Sequence, residues 1–121
     1  MKKAKGYVDV YLFPVPKKNF PAYKKIAAAF AKIIEGYGAL EYREFVSDGK
    51  PDMLPKTIPY RSNEVLVSAL AVFKSKAHRN QVFKKIMFDE KMTAMMKEME
   101  KKPIFDMKKM LFGGFKTFIE I

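Results

Sequence analysis

The chain has 121 residues, 49% of them hydrophobic, and this length and composition predict one globular domain over residues 1–121. The absence of cysteine excludes disulfides, thiolate metal sites and cysteine nucleophiles. No apolar run approaches the roughly 20 residues of a membrane-spanning helix, and the start MKKAK leads into no signal-peptide core, so we expect a cytoplasmic protein.

The formal net charge of +11 makes nucleic acid a partner to consider. The basic excess is spread over both halves of the chain, and only Arg43, Arg61 and Arg79 carry the planar guanidinium suited to bidentate recognition. This pattern favours a solvated, lysine-rich surface over a dedicated nucleic-acid site, which stays open as an alternative.

The segment Tyr7 to Val15 alternates and is rich in β-branched and aromatic residues, which predicts a first strand. A helix follows, with Asn19 as its predicted N-cap and Pro21 in its first turn. Its apolar stripe has helical spacing and comprises Tyr23, Ile26, Ala27, Phe30, Ile33, Ile34 and Tyr37. Gly36 and Gly38 are expected to end this helix.

Ala39 to Ser47 alternates as a second strand, with Tyr42 and Glu44 on one face and Arg43 on the other. The proline-containing connector from Asp48 to Asn63 is interpreted either as a mobile loop or as a functional flap.

Glu64 to Phe73 is apolar on both faces, which predicts a central third strand. Ser75 is the predicted cap of a second helix, and Asp89 that of a further helical segment. In that segment Met92, Met95, Met96 and Met99 recur at helical spacing, which favours adaptable packing over a copper site because no His or Cys stands beside them. The last strand is predicted near Met110 to Ile119.

This order predicts an α+β, ferredoxin-like βαββαβ fold in which both helices cover one face of a four-stranded antiparallel sheet. The aliphatic side of the first strand, Val8, Val10 and Leu12, is expected to face the helices. The aromatic and acidic side is then expected to be buried between two copies that pack sheet to sheet, as a homodimeric α/β barrel.

Asp9 is the candidate catalytic residue, because a carboxylate among aromatic side chains should have a raised pKa and could act as a general base. The alternative is a structural hydrogen bond to a tyrosine or arginine at the dimer interface. Arg43 is a possible counter-ion. The ligand-binding candidates are Tyr7, Asp9, Tyr11, Arg43 and Ser68.

No metal site or cofactor is predicted, since His78 is the only histidine and is expected to be exposed. Arg79 and Asp106 are interpreted as structural ties, of a loop and of the turn before the last strand. Gly113 and Gly114 lack the GxGxxG spacing of a dinucleotide site, so they indicate a bulge or a close approach of another group.

The chain resembles the YbaA-like family of uncharacterised bacterial proteins along nearly its whole length. The matching segments are Tyr7 to Asp9, Pro14 to Lys17, Tyr23, the SKAxR run that ends at Arg79, Met87, Asp89, Met92, Phe105, Asp106, Lys108, Met110 and Gly113 to Phe115. The middle departs, because EFVSDGKPD and VFKSK replace the family's tryptophan-containing stretch and its EWPSK motif. The resemblance implies the dimeric α/β barrel and no established reaction.

Three functions remain as hypotheses: a homodimeric protein that binds a small apolar ligand near Asp9, a cofactor-independent monooxygenase or isomerase with Asp9 as base, and a lysine-rich RNA-binding module. Neither the ligand nor the question whether the protein is an enzyme follows from the sequence.

Overall fold

The computed structural model describes residues 6–49 and 61–121. Helices and strands follow in the order β1 (Tyr7–Pro16), α1 (Phe20–Gly36), β2 (Glu41–Val46), β3 (Glu64–Phe73), α2 (Lys76–Met87), α3 (Glu90–Lys101) and β4 (Leu111–Lys116). Short 3-10 turns precede α1 and β4. Most of the predicted connector, residues 50–60, lies outside the described residues.

The four strands form one antiparallel sheet in the order β2-β3-β1-β4, which is the ferredoxin-like α+β arrangement that the sequence predicted. Strand β3 has the predicted bounds and the predicted central place, between β2 and β1. Strands β2 and β4 are shorter than expected. Within the described ranges, no helix is long and apolar enough to cross a membrane.

All three helices pack on one face of the sheet. One core cluster joins Ile33 and Ile34 of α1 and Val82 of α2 to Ala71 and Phe73 of β3. A second cluster joins Tyr23 of α1 to Phe13, Val15, Val67 and Phe105, with Met99 of α3 packed against it. Met92, Met95 and Met99 therefore serve the packing role that their spacing predicted, whereas Met96 is 44% exposed and belongs to neither cluster.

The assignment of the two faces of β1 was wrong. Tyr7, Asp9 and Tyr11 face the helices, whereas Val8 and Val10 face away from them. Alternation shows which residues share a face, but not which face the helices cover. The neighbouring positions decide this point. On the helix side β3 presents Ala69 and Ala71, and β4 presents Gly114, all of them small enough to leave room for aromatic rings.

The face away from the helices, here called the open face, is largely apolar. Across β1 and β4, Leu12 pairs with Leu111 and Val8 with Phe115. Val10 is 37% exposed, Leu111 49% and Phe115 56%. Its apolar residues are Val8, Val10, Leu12, Phe45, Leu66, Leu70, Val72, Leu111 and Phe115. No described helix packs on this face.

Two of the three predicted helix caps are confirmed. The Ser75 hydroxyl accepts the amide of His78 over 3.1 Å, and Asp89 accepts that of Met92 over 2.8 Å. Asn19 does not cap α1. Its side-chain amide donates to the carbonyl of Ile104 over 2.8 Å, because a 3-10 turn runs directly into the helix and brings Asn19 against the segment before β4.

Candidate functional site

A buried ion pair joins the sheet to α2. The carboxyl of Asp9, on β1, is fully buried, and its Oδ1 accepts a hydrogen bond from Nε of Arg79 over 3.1 Å. The other oxygen, Oδ2, has no hydrogen-bond partner among the described residues. Buried polar atoms are rarely left without a partner, so this oxygen is an unusual feature of the fold.

Arg79 is held on several sides. Its guanidinium carbon lies 5.5 Å from the ring centre of Tyr7 and 5.5 Å from that of Phe83. Its Nη1 donates to the side chain of Asn80 over 2.8 Å. Aromatic faces attract a guanidinium, so these contacts fix the cation beside Asp9.

The pKa of the Asp9 carboxyl is raised above its usual value of 3.8, chiefly because burial penalises the charged form. The hydrogen bond and the positive charge of Arg79 act in the opposite direction and offset only part of that effect. Burial therefore favours the neutral form of the Asp9 carboxyl more than it would for an exposed aspartate.

A second carboxylate, Glu44 of β2, faces the same helix layer. The hydroxyls of Tyr23 and Tyr42 both donate to it, one to each carboxylate oxygen. The pKa values of both tyrosines are raised, first by burial and then by these hydrogen bonds to Glu44. No cationic side chain of the described residues forms an ion pair with Glu44.

The strand register brings Asp9 and Glu44 to one region of the sheet. Tyr42, Ala71 and Asp9 lie side by side across β2, β3 and β1, and Glu44, Ala69 and Tyr11 form the next row. The pKa of Tyr11 is raised by burial and then by the charge of Asp9, with a smaller contribution from Glu44.

We call this region the interior site. It comprises Asp9, Tyr11, Glu44, Tyr42, Ala69, Ala71 and Arg79. The alanines form its floor, because their short side chains lie between the polar groups of the two flanking strands.

The chain matches the family model described as "Protein of unknown function (DUF1428)" over residues 6–107. The chain belongs to this family. It is also 32% identical, over 118 residues, to "Uncharacterized protein YbaA" of Escherichia coli strain K12, with 94% of this chain and 97% of that protein covered. The protein of the same name from Shigella flexneri matches to the same extent. The predicted YbaA-like resemblance is thus confirmed.

The DUF1428 match includes Asp9, Glu44 and Arg79, and it ends before β4. Neither the family description nor the names of these relatives states a ligand or a reaction, so the function has to be argued from the geometry.

The sheet separates the predicted site residues into two groups. Tyr7, Asp9 and Tyr11 lie on the helix side, whereas Arg43 and Ser68 lie on the open face. The prediction that Arg43 is the counter-ion of Asp9 was wrong. Arg43 is exposed, its Nη1 lies 3.9 Å from Oε1 of Glu41, and its guanidinium lies over the ring of Phe45.

Asp9 does bond an arginine, but the partner is Arg79 of the same chain rather than a residue across a dimer interface. The sequence predicted that Arg79 holds a loop in place, whereas its hydrogen bond to Asp9 holds strand β1. The position of Arg79 in the first turn of α2 could have indicated this contact, because a long charged side chain there can reach the sheet on which the helix packs. Glu44, Tyr23 and Tyr42 were not predicted, because their contacts join residues distant in sequence or in the sheet.

His78 is half-buried and not an exposed surface residue, because its Nδ1 accepts the amide of Lys74 over 3.0 Å and its ring packs on Phe73. Within residues 6–49 and 61–121, no three His, Asp or Glu side chains are grouped closely enough to hold a metal ion.

Of the paired glycines of β4, Gly114 allows a close approach. A Cβ on Gly114 would lie 2.7 Å from Cζ of Tyr7 and would overlap its hydroxyl. Gly114 therefore allows the Tyr7 ring to lie across β4, and this same ring packs against Arg79. The predicted close approach is confirmed, and the approaching group is a side chain of the protein itself.

Proposed function

We propose that this protein binds a small organic molecule in the interior site, and that Oδ2 of Asp9 accepts a hydrogen bond from it. The observation that carries the proposal is the fully buried Oδ2, which has no partner among the described residues. An unsatisfied buried acceptor destabilises a protein by about 1–3 kcal/mol, and a ligand that supplies the donor recovers this free energy on binding.

The surroundings indicate what the ligand looks like. Tyr7 and Tyr11 flank Asp9 along β1, and the floor of Ala69 and Ala71 is apolar. A ring that carries a hydroxyl or amino group fits such a lining, because the ring packs on apolar atoms and the donor reaches Asp9.

A fragment screen by saturation-transfer NMR tests this proposal, with small phenols, aromatic alcohols and aromatic amines as probes. Asp9→Asn places an NH2 donor or a neutral carbonyl where the carboxylate was, so we expect at least tenfold weaker binding. Glu35→Gln, an exposed carboxylate of α1, is the matched control and should bind like the wild type. Equal binding by Asp9→Asn and wild type would refute the proposal.

We further propose that the protein acts as a homodimer that pairs through the open face. Support comes from the apolar residues that β1, β3 and β4 contribute to this face, among them the exposed Leu111 and Phe115. An exposed, contiguous apolar surface is typical of an interaction site, and a two-fold axis lets such a surface cover itself.

A second candidate function is catalysis with Asp9 as general base, and the raised pKa of its carboxyl favours it. In that case Oδ2 would take a proton from a carbon acid and return one to it. Incubating the protein in D2O with aromatic ketones, which carry acidic C–H bonds beside the carbonyl, and measuring deuterium uptake by mass spectrometry tests this role. Catalysed exchange that Asp9→Asn abolishes is the expected result, and no catalysed exchange with any of these ketones would remove the enzyme hypothesis.

A further inference from the structure

A groove runs between α1 and α3. The hydroxyl of Tyr37, at the end of α1, donates to Oδ2 of Asp89 over 2.6 Å, and Asn19, before α1, bonds Ile104, just after α3. The two helices are therefore antiparallel and joined near both ends. Next to the first of these contacts lies a cavity of about 1140 Å3, here called the helix groove, which shares no residue with the interior site.

The floor of the helix groove is apolar. Ile33 of α1 and Met95 of α3 form its base, where both belong to the packing of the first core cluster. Ala28, Ala29 and Ala94 border this base, and Ala28 and Ala94 are exposed. Because these side chains are short, α1 and α3 do not fill the space between them, and another backbone can come close.

An exposed phenylalanine lies at one end of the helix groove. Phe88, in the turn between α2 and α3, lines the cavity and is 81% exposed. A large aromatic ring beside an apolar floor is typical of the residues that contribute most to the affinity of protein interfaces. The groove therefore has a residue suited to anchor a partner.

The α1 side of the helix groove is basic. Lys25 and Lys32 line the cavity, are exposed, and form no ion pair with any residue of the described ranges. They are seven positions apart on α1, which is two helical turns or about 10 Å along the axis. Two anionic groups at the same spacing on a partner would meet both ammonium groups.

The α3 side carries no such excess of one charge. Glu90 and Lys91 are adjacent, both exposed, and opposite in charge. The carboxylate of Asp89 accepts the hydroxyl of Tyr37 and the amide of Met92. The helix groove is thus basic on one flank and mixed on the other.

We infer that the helix groove binds an amphipathic helix of a partner protein, with two acidic side chains two turns apart on one flank. An open groove covers only one side of its occupant. A helix satisfies its own backbone hydrogen bonds and needs cover only for its apolar stripe, so an open groove suits it. The stripe would cover Phe88 and the alanines, and the acidic flank would face Lys25 and Lys32. This inference does not rest on the proposed small-molecule binding.

A display library of helical peptides of about 16 residues, random on the apolar stripe and on both flanks, tests the inference on the full chain. We expect the recovered peptides to carry Asp or Glu at two positions seven residues apart, beside an apolar stripe. The methyl NMR signals of Ala28, Ala29 and Ala94 should shift as the tightest peptide is added. Recovery of no helical peptide, or of peptides without the acidic pair, would overturn the inference.

Phe88→Ala should weaken binding of the tightest peptide at least tenfold. Phe118→Ala is the matched control, because Phe118 is 82% exposed and does not line the helix groove. It should bind the peptide like the wild type. Equal affinities of Phe88→Ala and wild type would show that the peptide binds another surface.

The role of the lysines is tested with a second version of the tightest peptide, in which Gln replaces both acidic residues. Wild type should prefer the acidic version at least fivefold, and a Lys25→Gln, Lys32→Gln double variant less than twofold. The matched control substitutes Lys84 and Lys85 of α2, which are exposed and lie outside the groove, by Gln. It has the same net charge and should keep the preference.

Two further outcomes decide against a partner helix. An equal loss of preference in both double variants would mean that the overall positive charge attracts the peptide, without a defined acidic flank. If light scattering finds that Phe88→Ala converts a dimer of the wild type into a monomer, the occupant of the helix groove is a second copy of this chain.

Discussion

Arg79 and Asp9 are 70 positions apart in the chain and meet across a hydrogen bond of 3.1 Å from Nε to Oδ1. The contact fixes α2 on β1, which has a neighbouring strand on each side. It leaves Oδ2 of the fully buried carboxyl without a partner among the described residues. One contact thus serves both the fold and the candidate site.

Removing Arg79 should lower the free energy of unfolding, because the buried carboxyl of Asp9 then lacks its cationic partner. Arg79→Ala leaves Asp9 without its cation, and we expect the free energy of unfolding at pH 7 to fall by about 3 kcal/mol. In an Asp9→Asn background the same substitution should remove only about 1 kcal/mol, from lost packing on Tyr7 and Phe83. Urea unfolding of the four proteins measures this coupling.

Lys76→Ala, an exposed position of α2, is the control for this cycle and should change stability little. Equal losses from Arg79→Ala in both backgrounds would show that the ion pair is not coupled.

Asp9 should make stability depend on pH in a defined direction. Its pKa is raised in the folded protein, so its favourable contribution is complete below the unfolded value of 3.8 and is lost as the pH rises through the folded pKa. Asp9→Asn stays neutral. We expect its free energy of unfolding, relative to wild type, to increase as the pH rises from about 4 to 7.

Denaturant unfolding at several pH values measures this difference, with Glu35→Gln as the control for an exposed carboxylate. A difference between Asp9→Asn and wild type that is flat or falls with pH would contradict the raised pKa.

Gly114 should tolerate no side chain while Tyr7 is present. Gly114→Ala brings a methyl group into the Tyr7 ring, and overpacking of this kind lowers stability by about 1–3 kcal/mol. Gly113→Ala is the matched control, because its Cβ would be 3.1 Å from Cε2 of the exposed Phe115, whose ring can move.

Thermal unfolding should therefore show a clear loss for Gly114→Ala and a small change for Gly113→Ala. In a Tyr7→Ala background the effect of Gly114→Ala should largely vanish. A full loss in that background would mean that another group occupies this space.

The open face should control association. Val10→Lys places a charge in the centre of this face, and burying it between two copies is unfavourable. We expect light scattering to find a dimer for wild type and a monomer for Val10→Lys. Met87→Lys changes an exposed apolar residue at the end of α2 and should remain dimeric. A monomeric wild type at micromolar concentration would count against the homodimer.

Local signals in the sequence predicted local structure. The caps at Ser75 and Asp89 and the bounds of β3 depend on residues close in the chain, and they were predicted as observed. Asn19 is equally close to α1, yet its amide bonds Ile104, because a partner 85 positions away competes for it. Local capping rules do not include such competitors.

The side of the sheet that holds Asp9 could not be read from β1 alone. Its alternation fits either orientation, and the choice depends on volumes at Ala69, Ala71 and Gly114 and on a cation supplied by α2. Aligning β1 with β3 and β4 at the sequence level would have shown that Ala69, Ala71 and Gly114 lie beside the aromatic face of β1. The link between Glu44 and Tyr23 arises only once α1 is packed on the sheet.

The most direct test of the account is the NMR signal of the Asp9 carboxyl carbon while the tightest-binding fragment of the screen is titrated into protein with 13C-labelled aspartate. The signal is identified by its absence from Asp9→Asn. We predict that it shifts and saturates with the dissociation constant measured by calorimetry. An Asp9 signal that stays fixed while the ligand saturates would show that binding occurs elsewhere, and would contradict the role assigned to Oδ2.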